Sequence, residues 1–328
     1  MDCSGSICFT GDSALTGIMM KIFKLSSYYS LKAILLVSVI YLFTGCGQTG
    51  KTALNTTTSG TVTIGADDSY KPLVDAEVQV FQSLYENAKF KVKYEPEDSL
   101  FKDLLRDSVQ FIVAGRQLGK DEESYLKGKQ YVPEQVKIAT DALAIIVNND
   151  NPDTLFTMEQ LKAIFKGDST WAAPGNGKIT VVFDHQNSSN SRYIQENLLN
   201  GGAFPSYCFA VKSNPEVIDY VSKNKNALGI IAVNWVSNDH DSATQGFLKK
   251  VKVAWISASA NDNAFQPYPY YINNSQYPLG RDVYVIKTEP YVGLASGLLS
   301  FITADKGQRI ILLEGIVPSH AVNHIISF

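Results

Sequence analysis

Four loops in this sequence concentrate side chains that can hold a charged oxygen ligand. In Asp184-His185-Gln186-Asn187-Ser188-Ser189-Asn190-Ser191-Arg192, the small polar residues Ser188 to Ser191 precede Tyr193, Ile194 and Leu198, apolar residues at helical spacing. One N-cap, worth about 1 kcal/mol, would satisfy that helix start. A row of small donors there, where free N–H groups and the positive end of the dipole face outward, suits an anion. Gly65-Ala66-Asp67-Asp68-Ser69-Tyr70 and Glu97-Asp98-Ser99 each place one serine at a helix start, where capping and ligand binding are both open readings. Arg116 follows Phe111-Ile112-Val113-Ala114-Gly115, and an always-charged fork at a strand end suits phosphate or carboxylate, or a structural ion pair.

A different pattern lies upstream. Gly45-Cys46-Gly47-Gln48-Thr49-Gly50-Lys51-Thr52 matches G-x-x-x-x-G-K-[ST], and Val181-Val182-Phe183-Asp184 passes for the second nucleotide motif, which would make Lys51 and Thr52 the phosphate site of an NTPase. That chemistry needs a helix starting at the Lys-Thr pair. Ala53-Leu54-Asn55-Thr56-Thr57-Thr58-Ser59-Gly60 has three β-branched threonines, a glycine and no apolar period, so it reads as a tether instead. The preceding residues explain the stretch better. A basic opening at Met19 to Lys24, Lys32, and an apolar run from Ala33 to Phe43 too short to span a bilayer describe a secretory signal peptide. Its ending, Leu42-Phe43-Thr44-Gly45-Cys46, resembles a bacterial lipobox, which makes Cys46 the acylated first residue of the mature protein. On this reading residues 1–45 are upstream residues and signal peptide, the signal itself opening at Met19 or Met20, and 46–60 form a lipid-anchored flexible linker.

Composition removes other classes. Across 328 residues, 29 Lys and Arg against 32 Asp and Glu give a net charge of −3 with no basic block, which excludes nucleic acid as a partner. Cys3, Cys8, Cys46 and Cys208 are too few and too scattered for a disulfide framework or paired zinc ligands. His185, His240, His320 and His324 form no H-E-x-x-H, so no metal is expected. Ser99-Leu100-Phe101-Lys102 matches S-x-x-K, but Ser-Asp-Asn and Lys-Thr-Gly are missing downstream. Tyr268, Tyr270, Tyr271 and Tyr277, beside Pro267, Pro269 and Pro278, are read as packing a long loop rather than stacking a sugar.

From Thr61 short strand-like runs alternate with helical patterns, the signature of an α/β fold. Thr61 to Gly65, Phe90 to Tyr94, Phe111 to Ala114 and Lys137 to Val147 read as strands of one set; Ile179 to Phe183, Leu228 to Ile231 and Val251 to Trp255 read as strands of a second. Thr157-Met158-Glu159-Gln160 is a capping box. No Pro/Gly/Ser-rich linker separates the sets, so they are expected to be two lobes joined by continuous strands, with a cleft between them.

With these loops in place, the chain from Thr61 to Phe328 resembles the periplasmic phosphate-binding lipoproteins of the high-affinity phosphate ABC transporter. The resemblance rests on Gly65 to Tyr70, Asn187-Ser188-Ser189-Asn190, Asn226-Ala227-Leu228-Gly229-Ile230, Tyr277-Pro278-Leu279-Gly280-Arg281, and Gly307-Gln308 to Gly315-Ile316-Val317-Pro318. It implies the two-lobed type II periplasmic binding-protein fold, each lobe a mixed sheet flanked by helices, with lobe I at 61–141 and 286–328 and lobe II at 142–285. Crossover strands near Thr140 to Ile145 and Arg281 to Val285 would act as the hinge. It further implies a monomer without enzyme activity, cofactor or metal, facing the periplasm or exterior, which captures inorganic phosphate or a related oxyanion and delivers it to an ABC permease. Carried over by position, Ser69, Tyr70, Ser99, Ser188, Ser189 and Asn190 bind the ligand, with Asp68 and Arg192 in the same loops. Two positions depart. The family has aspartate at Arg116, and an arginine at Asp184. Because the departures are reciprocal in charge, Arg116 and Asp184 are expected to face each other across the cleft. The rival readings are the NTPase through Lys51 and Thr52, and a surface lipoprotein of this fold that binds a sugar or a protein.

Overall fold

The computed structural model describes residues 55–168, 170–171, 177–238 and 240–320. Cys46, the signal peptide and the Lys51-Thr52 pattern lie outside the described residues. The architecture is organised by one strand of fifteen residues, Glu134–Asn148, which serves two sheets. Its first part pairs antiparallel with the strand Gly280–Lys287, from Glu134 opposite Lys287 to Ala142 opposite Gly280. Its second part, Leu143 to Val147, pairs antiparallel with Ala227–Ala232. Burial follows this division: exposed and half-exposed residues are interspersed through Glu134–Asp141, whereas Ala142 to Asn148 is buried throughout. A strand covered on both faces reads as a continuous apolar run, and here Leu143, Ile145 and Val147 enter one core while Ala144 and Ile146 enter another, the period of two that a pleat imposes.

Lobe I continues from the return strand Gly280–Lys287 through Phe111–Ala114 to Gly60–Asp67 and Ala88–Glu95, the last three parallel to one another. Lobe II continues through Ala227–Ala232 and Thr180–Phe183 to Cys208–Ala210, again parallel. Each parallel step is a crossover through a helix, among them Lys71–Leu84 in lobe I and Asn214–Lys223 in lobe II. Phe81 anchors the first core, edge-on to Phe90 and Phe301 with centroids 5.4 Å apart in each case. The capping box is formed: Gln160 N–H donates to Thr157 Oγ1 at 3.1 Å, and Thr157 N–H donates to Gln160 Oε1 at 2.8 Å. Among the described residues no helix is long and apolar enough to cross a membrane.

Two expected boundaries move. Gly280–Lys287 pairs along its length with lobe I strands, so the chain re-enters lobe I at Gly280, ahead of the expected 286. The described end of the expected linker, Asn55 to Gly60, is not a free tether. Thr56 and Ser59 bridge in a tight turn, and Asn55 brackets Thr61 with paired hydrogen bonds of 3.0 Å. The turn lies on the helix Leu294–Thr303 so closely that a Cβ at Gly297 would fall 1.8 Å from the Thr57 carbonyl oxygen. Gly297→Ala therefore sets a helix-propensity gain of about 1 kcal/mol against a backbone clash. We expect the clash to win, lowering stability by about 1–3 kcal/mol in thermal denaturation and speeding hydrogen exchange at the Thr56 amide.

Candidate functional site in the interlobe cleft

Strand ends and helix starts from both lobes converge on Ser189, the first residue of the nine-residue helix Ser189–Asn197. Ser188 caps that helix, its Oγ accepting from Ser191 N–H at 3.2 Å and donating to Asp184 Oδ1 at 2.6 Å. Opposite stands Asp67, the last residue of the first strand and the cap of the short helical turn Asp68–Tyr70. Its carboxylate accepts from Ser69 N–H at 2.9 Å, from Ser189 N–H at 3.0 Å and from Ser189 Oγ at 3.1 Å. Ser69 Oγ donates to Asp184 Oδ2 at 3.3 Å, and Asn214 Nδ2 donates to both Asp184 and Asp68 at 3.3 Å. Asp67, Ser69, Asp184, Ser188, Ser189 and Asn190 are all buried.

Two guanidinium groups enter the same space. Arg281, at the start of the return strand, donates to Asp141 Oδ2 from Nε at 3.1 Å and Nη2 at 2.8 Å, reaches Ser189 Oγ from Nη1 at 3.3 Å, and lies over the Tyr70 ring. Asp141 and Arg281 are direct partners in the strand register. Arg192 reaches back from lobe II to Glu97, which also accepts from Gly115 N–H at 2.7 Å, and donates to the Gly115 carbonyl at 3.0 Å. Gly115 is required there: a Cβ would stand 2.7 Å from Tyr70 Oη and 3.2 Å from both Arg192 Nη2 and Ser189 Cβ. Tyr70 Oη and Asn190 Oδ1, both buried, have no hydrogen-bond partner. For these two atoms the site provides unspent hydrogen-bonding capacity.

Of the expected site residues, the structure brings Asp68, Ser69, Tyr70, Asp184, Ser188, Ser189, Asn190 and Arg192 together. Arg116 is not with them, and the expected Arg116–Asp184 pair is not formed. The helix Lys120–Gly128 supplies Glu122, which takes the Arg116 fork at 2.7 and 2.9 Å, and the guanidinium stacks 3.4 Å above the Phe101 ring centre. A partly exposed bidentate pair leaves Arg116 no reason to enter the cleft. Ser99 sits in the first turn of Glu97–Leu105 with its N–H on the Pro96 carbonyl, and takes no part in the cross-cleft bonds. Five contributors are not among the residues that the sequence reading singles out for binding: Asp67, Glu97, Asp141, Asn214 and Arg281. Of these, Arg281 alone carried a signal, a cation at the start of a strand leading away from the cleft.

Electrostatically the cleft is acidic. Glu97 and Asp141 are paired with arginines, whereas Asp67, Asp68 and Asp184 are held by neutral donors. Burial, with the Asp67 carboxylate beside it, pushes Asp184 up to about 7; burial also raises Asp68 against its bonds from Asn214. Among the described residues no cluster of three or more His, Cys, Asp or Glu side chains is arranged to hold a metal ion. Tyr277 and Tyr271 pack as expected, Tyr277 donating to the Leu143 carbonyl at 2.7 Å and Tyr271 against Phe265, while Tyr268 and Tyr270 remain exposed.

Comparisons with known proteins identify the family and the fold. Residues 51–306 match the family model described as the PBP superfamily domain. The chain is similar to the phosphate-binding protein PstS of Pseudomonas aeruginosa, 24% identical over 280 residues covering 79% of this chain and 83% of that protein. Its likeness to PstS of Staphylococcus aureus is 22% over 277 residues, 81% of each chain. Among solved structures it superposes on an ABC-type phosphate transport receptor from Vibrio cholerae with a TM-score of 0.59 at 20% identity, covering 79% of this chain and 100% of the receptor. A phosphate ABC transporter substrate-binding protein from Clostridium perfringens, solved with bound phosphate, gives 0.67 at 21% identity over 80% of this chain and 100% of that one.

The raised Asp184 carboxyl makes stability depend on pH. A carboxyl that holds its proton more tightly folded than unfolded stabilises the fold as pH drops from about 7 towards its ordinary value near 4, and costs stability above 7. Glu77, pushed up to about 9 by burial, and Glu314, pushed up to about 7 by burial, act in the same direction. Thermal denaturation should therefore give a higher Tm at pH 6 than at pH 8, and Asp184→Asn should shrink that difference; an unchanged difference would remove Asp184 as a contributor.

Proposed function

The chain belongs to the PBP superfamily, and from that premise we propose that it is an extracytoplasmic solute-binding protein that captures inorganic phosphate between its lobes for delivery to an ABC permease. One observation carries this reading. The cleft already holds an oxyanion, the Asp67 carboxylate, on donors drawn from both lobes: Ser69 N–H from lobe I, and Ser189 N–H and Oγ from the start of a lobe II helix. Donors of that kind, backbone N–H groups at a helix N-terminus joined by hydroxyls in a water-poor site, are what a phosphate requires. Tyr70, Ser188, Asn190, Asn214 and Arg281 complete the ring, with Asp68, Asp184 and Arg192 supporting it. Arg281 then supplies the positive charge that the aspartate at position 184 withholds. Ser99 stands at the lip, where lobe I meets lobe II through Asp98 N–H and the Asn187 carbonyl at 3.4 Å. The names of the relatives supply the choice of phosphate among oxyanions.

Titration calorimetry with phosphate, sulfate and molybdate tests the reading. Phosphate should bind with heat and the other two weakly. Ser189→Ala, which removes one hydroxyl, should weaken phosphate about tenfold, and Ser189→Leu should abolish binding while the protein stays folded. Equal binding by Ser189→Leu would exclude this cleft.

We also propose that acylated Cys46 anchors the mature protein to a bacterial membrane, a reading that rests on the Leu42-Phe43-Thr44-Gly45-Cys46 ending. Cys46→Ala should leave soluble or unprocessed protein with phosphate binding intact. A mature Cys46→Ala protein still in the membrane fraction would refute the anchor.

A further inference from the structure

Asp67 makes more bonds than capping needs. A cap for the turn Asp68–Tyr70 requires one carboxylate oxygen on Ser69 N–H. The remaining bonds run to a residue 122 positions away in the other lobe: Oδ2 accepts Ser189 N–H at 3.0 Å and Oδ1 accepts Ser189 Oγ at 3.1 Å. The carboxylate is fully buried, and none of its three bonds comes from a charged donor. It occupies the N–H group at the head of the Ser189–Asn197 helix that an incoming anion would use.

We propose that Asp67 is a built-in competitor for the solute, a tethered carboxylate that fills the oxyanion position, holds the lobes together without ligand, and must be displaced when an oxyanion enters. This rests on the reading of the cleft as an oxyanion site. A carboxylate has two oxygens in a plane and here uses three donors. A tetrahedral oxyanion has four oxygens and can take the same three donors while also reaching Tyr70 Oη, a buried hydroxyl without a partner, and Arg281 Nη1, which now spends its bond on Ser189 Oγ. Capture is then an exchange of one oxyanion for another. The free energy of binding is the difference between the two, so affinity is set by how well Asp67 fits as well as by how well the solute fits. The tether also explains how a site with three aspartates lacking a guanidinium partner admits an anion: one of the three leaves as the anion arrives.

Two substitutions separate this from a capping role. Asp67→Gly removes the side chain. Asp67→Asn keeps an amide oxygen for Ser69 N–H but puts an NH2 group, which cannot accept, where Ser189 N–H now donates. The full-length wild type and both variants are compared by small-angle X-ray scattering without phosphate and by calorimetric titration with inorganic phosphate at pH 7.5. The expected result is a compact wild type, a larger radius of gyration for Asp67→Asn and Asp67→Gly that phosphate reduces, and at least tenfold tighter phosphate binding by Asp67→Asn than by wild type. Equal radii of gyration for wild type and Asp67→Asn without phosphate overturn the inference, as does equal or weaker phosphate binding by Asp67→Asn. If no protein binds phosphate, the reading of the ligand fails, and the scattering comparison alone decides the role of Asp67. If Asp67→Gly does not fold, Asp67→Asn carries both measurements.

Discussion

Burying Asp141 in the middle of a strand that two sheets share is the constraint on which the cleft depends. The strand Glu134–Asn148 changes sheets between Ala142 and Leu143, so Asp141 stands next to last before the crossing, fully buried. A charge there is costly unless paired and hydrogen-bonded. Its register partner Arg281 supplies both bonds and, once oriented, has a third group to spend on Ser189 in the opposite lobe. A structural need at the crossing thus delivers a guanidinium to the floor of the cleft. The Tyr70 ring beneath it restricts where that cation can go.

Charge balance gives the site its character. A site for a phosphate dianion would be expected to be basic, yet the residues that meet in this cleft include five carboxylates and two guanidiniums. Each guanidinium is already committed to a carboxylate. Apart from Arg281 Nη1, what a solute would meet is partial charge: N–H groups at the head of a helix whose dipole contributes about half an elementary charge, and hydroxyl and amide hydrogens. Such donors are directional and short in range. They reward a ligand that fits and do little to attract one from a distance, in keeping with a protein whose overall charge is near neutral.

How much of this was legible in the sequence follows from the physics of each signal. Apolar alternation and capping are local, so Phe111–Ala114, Thr180–Phe183 and the box at Thr157 appear where their residues place them. The helix Lys120–Gly128 and the strand Cys208–Ala210 did not announce themselves, the first because it buries only Leu126 and the second because it is three half-buried residues recruited by a neighbour. Missing that helix had a cost: without Glu122 nearby, Arg116 looked available for the cleft. The serine cluster was legible because four small polar residues exceed what one cap uses. Asp67, Asp141 and Asn214 were not, since each owes its place to a partner far away in sequence, and one aspartate at a strand end looks like any other. The turn at Thr56 to Ser59 was hidden for the same reason, because the residue that receives it is Gly297.

The placement of the Asp141–Arg281 pair also has a mechanical meaning. Both residues lie beside the two points where the chain passes between lobes, Ala142 to Leu143 and Leu279 to Gly280. For lobes turning about an axis through those points, displacement grows with distance from the axis. The ion pair lies at almost zero radius, and both partners ride on the lobe I side, so it neither resists nor assists rotation. The contacts of Asp67 with Ser189, and of Glu97 and Gly115 with Arg192, join the two lobes and would have to break for the cleft to open. Rotation would therefore be opposed by these cross-lobe bonds, while the buried Asp141–Arg281 ion pair beside the pivot would not have to break for the lobes to part.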